Sequence, residues 1–273
     1  MDHRPQAWGR PRDDIYGAYD GTYLNHNGPK QATQSPVVTG TSVIGIKFKD
    51  GVVIAADNLA SYGSLARFTD VKRLRVFLDT SIVGFGGDVS DMQFLDRHLN
   101  ELAIEEAYET EPLATTAEDG AVSRPGVLNA ANLHKYLQRL FYARRNKFDP
   151  LWNQVLVAGL DAASRPFLSS IDLRGTAFTS PSLATGFGAM LAQPILRTHA
   201  PTEEDAAKLT REQAVNAVKE CMKVLYYRDA RSLDRYSIAV VTKEGIELKE
   251  DEQLEKQSWA FAERIKGYGT QTV

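Results

Sequence analysis

The side chains best placed to do chemistry lie around Asp57. This carboxylate closes an apolar run, Val52-Val53-Ile54-Ala55-Ala56, so it is expected to be at least partly buried. A buried carboxylate needs a cation or hydrogen-bond donors. Lys72 and Arg73, on the next expected pair of strands, are the candidate partners. A structural ion pair and a catalytic carboxylate both fit, and the ion pair is the simpler reading. Other reactive types point nowhere further. Cys221 falls on the apolar stripe of an expected helix, where it reads as a small buried residue. His3, His26, His98, His134 and His199 are scattered without metal-ligand spacing, so no metal and no cofactor are expected. Gly186-Phe187-Gly188 is too short for a dinucleotide loop and lacks the acidic partner and βαβ context. Lys135, Arg139, Arg144, Arg145 and Lys147 lie along a helix and its exit, and read as a solvated face that complements the helix dipole.

The elements that must hold these residues can be read from periodicity. Thr39–Phe48 puts Ile44, Ile46 and Phe48 on one face of a strand, Asp50-Gly51 turns it, and residues 52–56 return as a strand apolar on both faces. Further strands are expected at Phe68–Val76, Ser81–Phe85, Gln154–Leu160, Phe167–Leu173 and Ala177–Ala184. Asp88 or Ser90 caps a helix carrying Met92, Leu95, Leu99 and Leu102, and a second helix carries Ala130, Leu133, Leu137 and Leu140. Glu111–Gly126 between them reads as a surface loop. A helix over Gly186–Leu196 is expected to break or end at Pro194. Thr210-Arg211-Glu212-Gln213 is a capping box opening a helix through Ala214, Val218, Cys221, Met222 and Leu225. Arg235–Thr242 and Ile246–Lys249 form a last hairpin, and Leu254–Ile265 a last helix. Strands, helices, strands, helices, strands in that order suggest two packed sheets with helices on their outer faces.

Composition narrows the classes of function. The 273 residues suffice for a large core, and a formal net charge of −3 gives no electrostatic case for nucleic acid or an anionic membrane. No apolar run approaches the ~20 residues of a membrane span. A single cysteine excludes an internal disulfide, which fits a reducing compartment. Residues 1–38 are rich in glycine, proline and balanced charge, without the apolar stretch of a secretory signal. They read as an extension or a removable pro-segment that cannot bury enough surface to order itself.

Thr41-Ser42-Val43-Ile44-Gly45-Ile46-Lys47-Phe48, with Gly51 and Ala56-Asp57, resembles the opening of a proteasome beta subunit. The similarity continues through Gly86-Gly87-Asp88, Thr185-Gly186-Phe187-Gly188 and Arg228-Asp229-Ala230-Arg231-Ser232. Thr33-Gln34-Ser35-Pro36, Ser61-Tyr62-Gly63-Ser64-Leu65, Asn153 and Lys266-Gly267-Tyr268-Gly269-Thr270-Gln271 point to the non-catalytic members. The resemblance implies an α+β fold, the four-layer αββα sandwich of the N-terminal nucleophile hydrolases. It implies a pro-segment 1–32, a beta-subunit domain 33–250 and a C-terminal segment 251–273.

In active members of that family a threonine becomes the first residue, and its α-amine serves as the base. Thr41 matches that position, Asp57 the family's aspartate, Asp229 and Ser232 the pair that supports the amine, and Gly87 the oxyanion glycine. Two departures stand out. The essential lysine is Arg73, with Lys72 one place early, and the serine beside the amine is Phe187. An arginine stays protonated where a lysine can be tuned. The family pattern also places cleavage between Ala32 and Thr33, which would leave the Thr41 nitrogen an amide. The resemblance therefore implies a structural subunit, with an active threonine peptidase using Thr41 as the alternative and a free-standing binding protein as a third reading. Implied partners are beta subunits of the same and the opposite ring, alpha subunits and assembly chaperones, in cytoplasm and nucleus. Nucleic acid and membrane are not expected partners. Trp259, Tyr268 and Val273 are expected in a tail that reaches the opposite ring.

Overall fold

The computed structural model describes residues 36–78, 80–110 and 128–255. The strands are β1 (Val38–Gly40), β2 (Val43–Phe48), β3 (Gly51–Asp57), β4 (Ala60–Tyr62), β5 (Leu65–Phe68), β6 (Leu74–Phe77), β7 (Ser81–Asp88), β8 (Asn153–Leu160), β9 (Pro166–Ile171), β10 (Ala177–Thr179), β11 (Ser182–Ala184), β12 (Arg235–Thr242) and β13 (Gly245–Gln253). The helices are α1 (Val89–Thr110), α2 (Ala130–Asn146), α3 (Gly188–His199), α4 (Glu203–Ala206) and α5 (Arg211–Arg228). One sheet runs β10-β9-β8-β7-β1-β4-β5, with β6 also paired to β7, and the other runs β11-β2-β3-β12-β13.

Strand alternation sorts the apolar residues into three cores, which is what a four-layer sandwich requires. Val43, Val52, Ile54 and Ala56 face Ile82, Leu156, Ala158 and Leu168 between the two sheets. Their alternates Ile44, Ile46, Val53 and Ala55 pack under α3 and α5, against Ala192, Leu196, Val218 and Cys221. On the opposite outer face Val83, Phe85, Val155 and Val157 meet Leu95, Leu99, Leu133, Leu137 and Phe141 of α1 and α2. The αββα architecture is thus written in period-2 strands whose two faces both find apolar partners.

Local signals hold well at helix starts. Asp88 accepts from the backbone of Ser90 at 2.8 Å and so caps α1. Thr210 and Gln213 form both halves of the capping box that opens α5. Three expectations need correction, and one hairpin was not expected at all. The strand expected over Phe68–Val76 is interrupted, because residues 69–73 leave the ladder and Arg73 turns inward. The β4–β5 hairpin went unread since β5 is exposed throughout and shows no apolar alternation. The strand expected over Ala177–Ala184 is two strands in different sheets, parted at Ser180-Pro181, where the Pro181 carbonyl accepts from Lys47 N at 2.8 Å. Pro194 does not end its helix: α3 continues to His199.

Among the described residues no helix is long and apolar enough to cross a membrane, and no group of three or more His, Cys, Asp or Glu is placed to hold a metal. Ala32 and Thr33, Glu111–Gly126, and the last expected helix with Trp259, Tyr268 and Val273 lie outside the described residues.

Candidate functional site

The site is assembled where β1, β2, β3 and β7 meet, and Arg73 sits at its centre. Its side chain is 1% exposed, so each donor must find an acceptor. Nε donates to the Asp57 carbonyl at 2.9 Å, Nη1 to the Thr41 and Phe85 carbonyls at 2.8 and 3.1 Å, and Nη2 to the Ser42 carbonyl at 3.0 Å. Nη2 also pairs with Asp57 Oδ1. One guanidinium thereby ties the link between β1 and β2 to β3 and β7 through their backbones, which the compact head of a lysine could not do. Lys72 turns outward to Asp70 at 2.8 Å and Glu250 at 3.8 Å. Of the two candidate partners for Asp57, Arg73 is the one.

Asp57 is enclosed as well. Its second oxygen, Oδ2, has no hydrogen-bond partner. Burial pushes the carboxyl up to about 6 against the opposing pull of Arg73 and of the Leu59 backbone, and the charge of Asp229 adds to the rise.

Thr41 keeps part of the expected geometry. Its hydroxyl donates to Asp229 Oδ2 at 2.6 Å and lies 3.5 Å from the Ser42 hydroxyl. Asp229 is held by the Arg231 backbone N–H at 2.9 Å. Ser232 is not part of this contact: its hydroxyl donates to the carbonyls of Asp229 and Leu225 at 2.7 and 3.0 Å, so it pins the turn after α5. Phe187 brings no polar atom near Thr41 and lies 55% exposed at the mouth of a cavity of about 410 Å³, with Met190 and Arg231.

The decisive feature is the residues before Thr41. Val38–Gly40 form β1, paired antiparallel to β4 on one side, with Thr39 opposite Ser61, and to β7 on the other, with Gly40 opposite Gly87. The strand fills the space between β4 and β7 directly ahead of Thr41. Gly87, at φ +92° and with no room for a side chain against the Trp152 carbonyl, must be glycine, and its ladder partner is Gly40 of β1. Gly40 is required for a second reason: a Cβ there would come within 2.4 Å of the Arg73 side chain.

Several supporting residues escaped the sequence reading of the site. Ser42 accepts from the Gly188 backbone at 2.8 Å and so fixes the start of α3. Asn153 bridges the Gly86 and Asp88 carbonyls, both at 2.9 Å. Thr185 accepts from Val43 N at 2.8 Å. A serine next to a candidate nucleophile was the one available signal.

A family model described as proteasome subunit matches residues 37–241. The chain is similar to proteasome subunit beta type-7 of Saccharomyces cerevisiae, at 46% identity with each chain covered in full. It is similar to the probable proteasome subunit beta type-7 of Schizosaccharomyces pombe, at 47% identity over 98% of this chain and 97% of that one. Proteasome subunit beta type-4 of Xenopus laevis is 42% identical over 88% of this chain and 92% of its own length.

Proposed function

Because the chain belongs to the proteasome subunit family, we propose that it is a non-catalytic beta subunit of the 20S core, building the barrel for protein degradation without cutting peptide bonds. The observation that carries this reading is β1: with Val38–Gly40 covalently ahead of Thr41 and paired to β4 and β7, the Thr41 nitrogen is an amide and the slot beside it is occupied. An amide nitrogen is no base. Arg73 supports the same reading, since it remains protonated and spends its donors on backbone carbonyls.

The proposed processing site lies between Ala32 and Thr33 and is cut by an active neighbour, leaving β1 in place. Proposed partners are beta neighbours in its own ring, the alpha ring, the opposite beta ring through the segment with Trp259, Tyr268 and Val273, and assembly chaperones. Cytoplasm and nucleus are the proposed locations.

Thr41→Ala in assembled particles tests the central claim: every peptidase activity should stay at the wild-type level. Loss of one activity class, or an intact mass that starts at Thr41, would establish the alternative, an active threonine endopeptidase using Thr41. Deleting residues 268–273 should make half-particles accumulate on native gels; normal particle yield would remove the proposed inter-ring role.

A further inference from the structure

The cavity of about 410 Å³ beside Thr41 has a wall that a threonine-terminated chain would lack. Thr39 and Gly40 of β1 line it, so it exists only in a chain that keeps residues ahead of Thr41. Its size falls within the roughly 300–1,000 Å³ of small-ligand sites. Much of the remaining wall is apolar, made by Trp152, Leu173, Phe187 and Met190, and Met190 stands 73% exposed. Two side chains add donors that the fold does not use. Gln154 accepts from the Gly186 backbone N–H at 3.4 Å through Oε1, and its Nε2 has no partner among the described residues. Arg231 is the one charged residue of the lining. Its backbone N–H holds Asp229, but among the described residues no carboxylate pairs with its guanidinium. Asp229 itself is buried, lies outside the lining, and accepts from Thr41 and Arg231.

We propose that this cavity binds the C-terminal end of a short peptide whose last side chain is apolar. The carboxylate pairs with the Arg231 guanidinium, whose planar fork suits it, and Gln154 supplies a neutral donor. The last side chain buries its surface against Trp152, Leu173, Phe187 and Met190. One cation and no acidic lining residue match a single negative charge, whereas a phosphate group carries about two. The polar groups that Thr39 and Gln154 bring to the lining suit peptide amides better than an alkyl chain, which offers them nothing to bond. The inference rests on the proposed place in the core, because every peptide bond hydrolysed by another subunit creates one new C-terminal carboxylate. A product bound here is held and not cut, since the Thr41 nitrogen is an amide and its hydroxyl is spent on Asp229.

Photolabelling of assembled core particles that contain the full chain tests this. The probe is acetyl-alanyl-photoleucine with a free C-terminal carboxylate, added after the peptidase sites of the particle have been blocked. Irradiation should attach it to Trp152, Leu173, Phe187 or Met190, as mapped by peptide mass spectrometry. The C-terminal amide of the same probe should label about fivefold less, the upper worth of an exposed charge pair. Arg231→Gln should lower labelling by the same factor, and Arg231→Lys should keep most of it. Label on none of the four residues would overturn the proposal, as would equal labelling by acid and amide or by wild type and Arg231→Gln. Stronger competition by dodecanoate than by acetyl-alanyl-leucine would remove the peptide as occupant. The intact mass of the chain in the same particles tells two failures apart. A chain that keeps Thr39 and Gly40 but takes no label sinks this inference alone, and a chain that starts at Thr41 sinks the structural reading with it.

Discussion

At the scale of single residues, Arg73 and Asp57 decide the character of the site. Both are buried, and they are joined by a direct ion pair. Asp57→Ala would leave the guanidinium charge uncompensated, at a cost of about 3–5 kcal/mol, visible as lower thermal stability of the particle. Arg73→Lys should be destabilising too, since one ammonium cannot reach the carbonyls of β3, β7 and the β1–β2 link together, and it should yield no new peptidase activity while Thr41 stays amide-linked. Appearance of activity in that variant would show that the lysine alone had been missing. The pH dependence has a definite sign. Asp57 is raised from 3.8 to about 6, so the folded chain binds its proton more tightly than the unfolded chain does. Stability from this group is greatest below pH 4 and falls as pH rises through 6. The difference in urea midpoint between wild type and Asp57→Asn should therefore shrink with rising pH across that window and level off above it. A difference that grows would mean that Arg73, and not burial, controls the carboxyl. The need of Asp57 for a partner was legible from its place at the end of an apolar strand. That Arg73 would serve the Thr41, Ser42 and Phe85 carbonyls was not, because those contacts come from strands far apart in the chain.

At the scale of elements, the legible parts are those whose burial repeats locally. β2 and β3 alternate cleanly, and α5 announces itself by its capping box. Thr210→Ala should cost about 1 kcal/mol, read as an earlier urea midpoint with unchanged slope. β5, exposed on both faces, carries no such pattern, and β1 is three residues long, defined only by what it pairs with. Its dependence on Gly40 gives another test. Gly40→Ala puts a methyl against the Arg73 side chain, so either the strand or the guanidinium must shift, at about 1–3 kcal/mol. Hydrogen exchange at Thr39 and Gly40 should quicken in that variant. Unchanged protection would mean that the neighbourhood absorbs a methyl without moving β1.

At the scale of the whole molecule, the exposed apolar side chains matter most. Tyr62, Leu65 and Phe68 stand 57%, 55% and 49% exposed along the β4–β5 hairpin. Aromatic and aliphatic residues gathered on one projecting hairpin are suited to meeting a partner. Replacing all three by serine should leave the melting of the isolated chain within about 1 kcal/mol of wild type, while its incorporation into particles on native gels falls. Normal incorporation would make the hairpin a solvated edge.

The strand β1 has one more consequence, concerning reagents aimed at proteasome sites. Its three residues are tethered to the slot they fill, so they act as a ligand that never dilutes. A short tether gives an effective concentration on the order of millimolar. A peptide competing for that slot must displace the tethered occupant, and if β1 by itself would bind the slot with a dissociation constant of ~1 µM, the peptide's apparent affinity drops roughly a thousandfold. If the chain is cut at Thr33, as proposed, warheads that need both a free amine and an empty cleft meet neither here, and this subunit should go unlabelled at doses that saturate open, threonine-terminated sites.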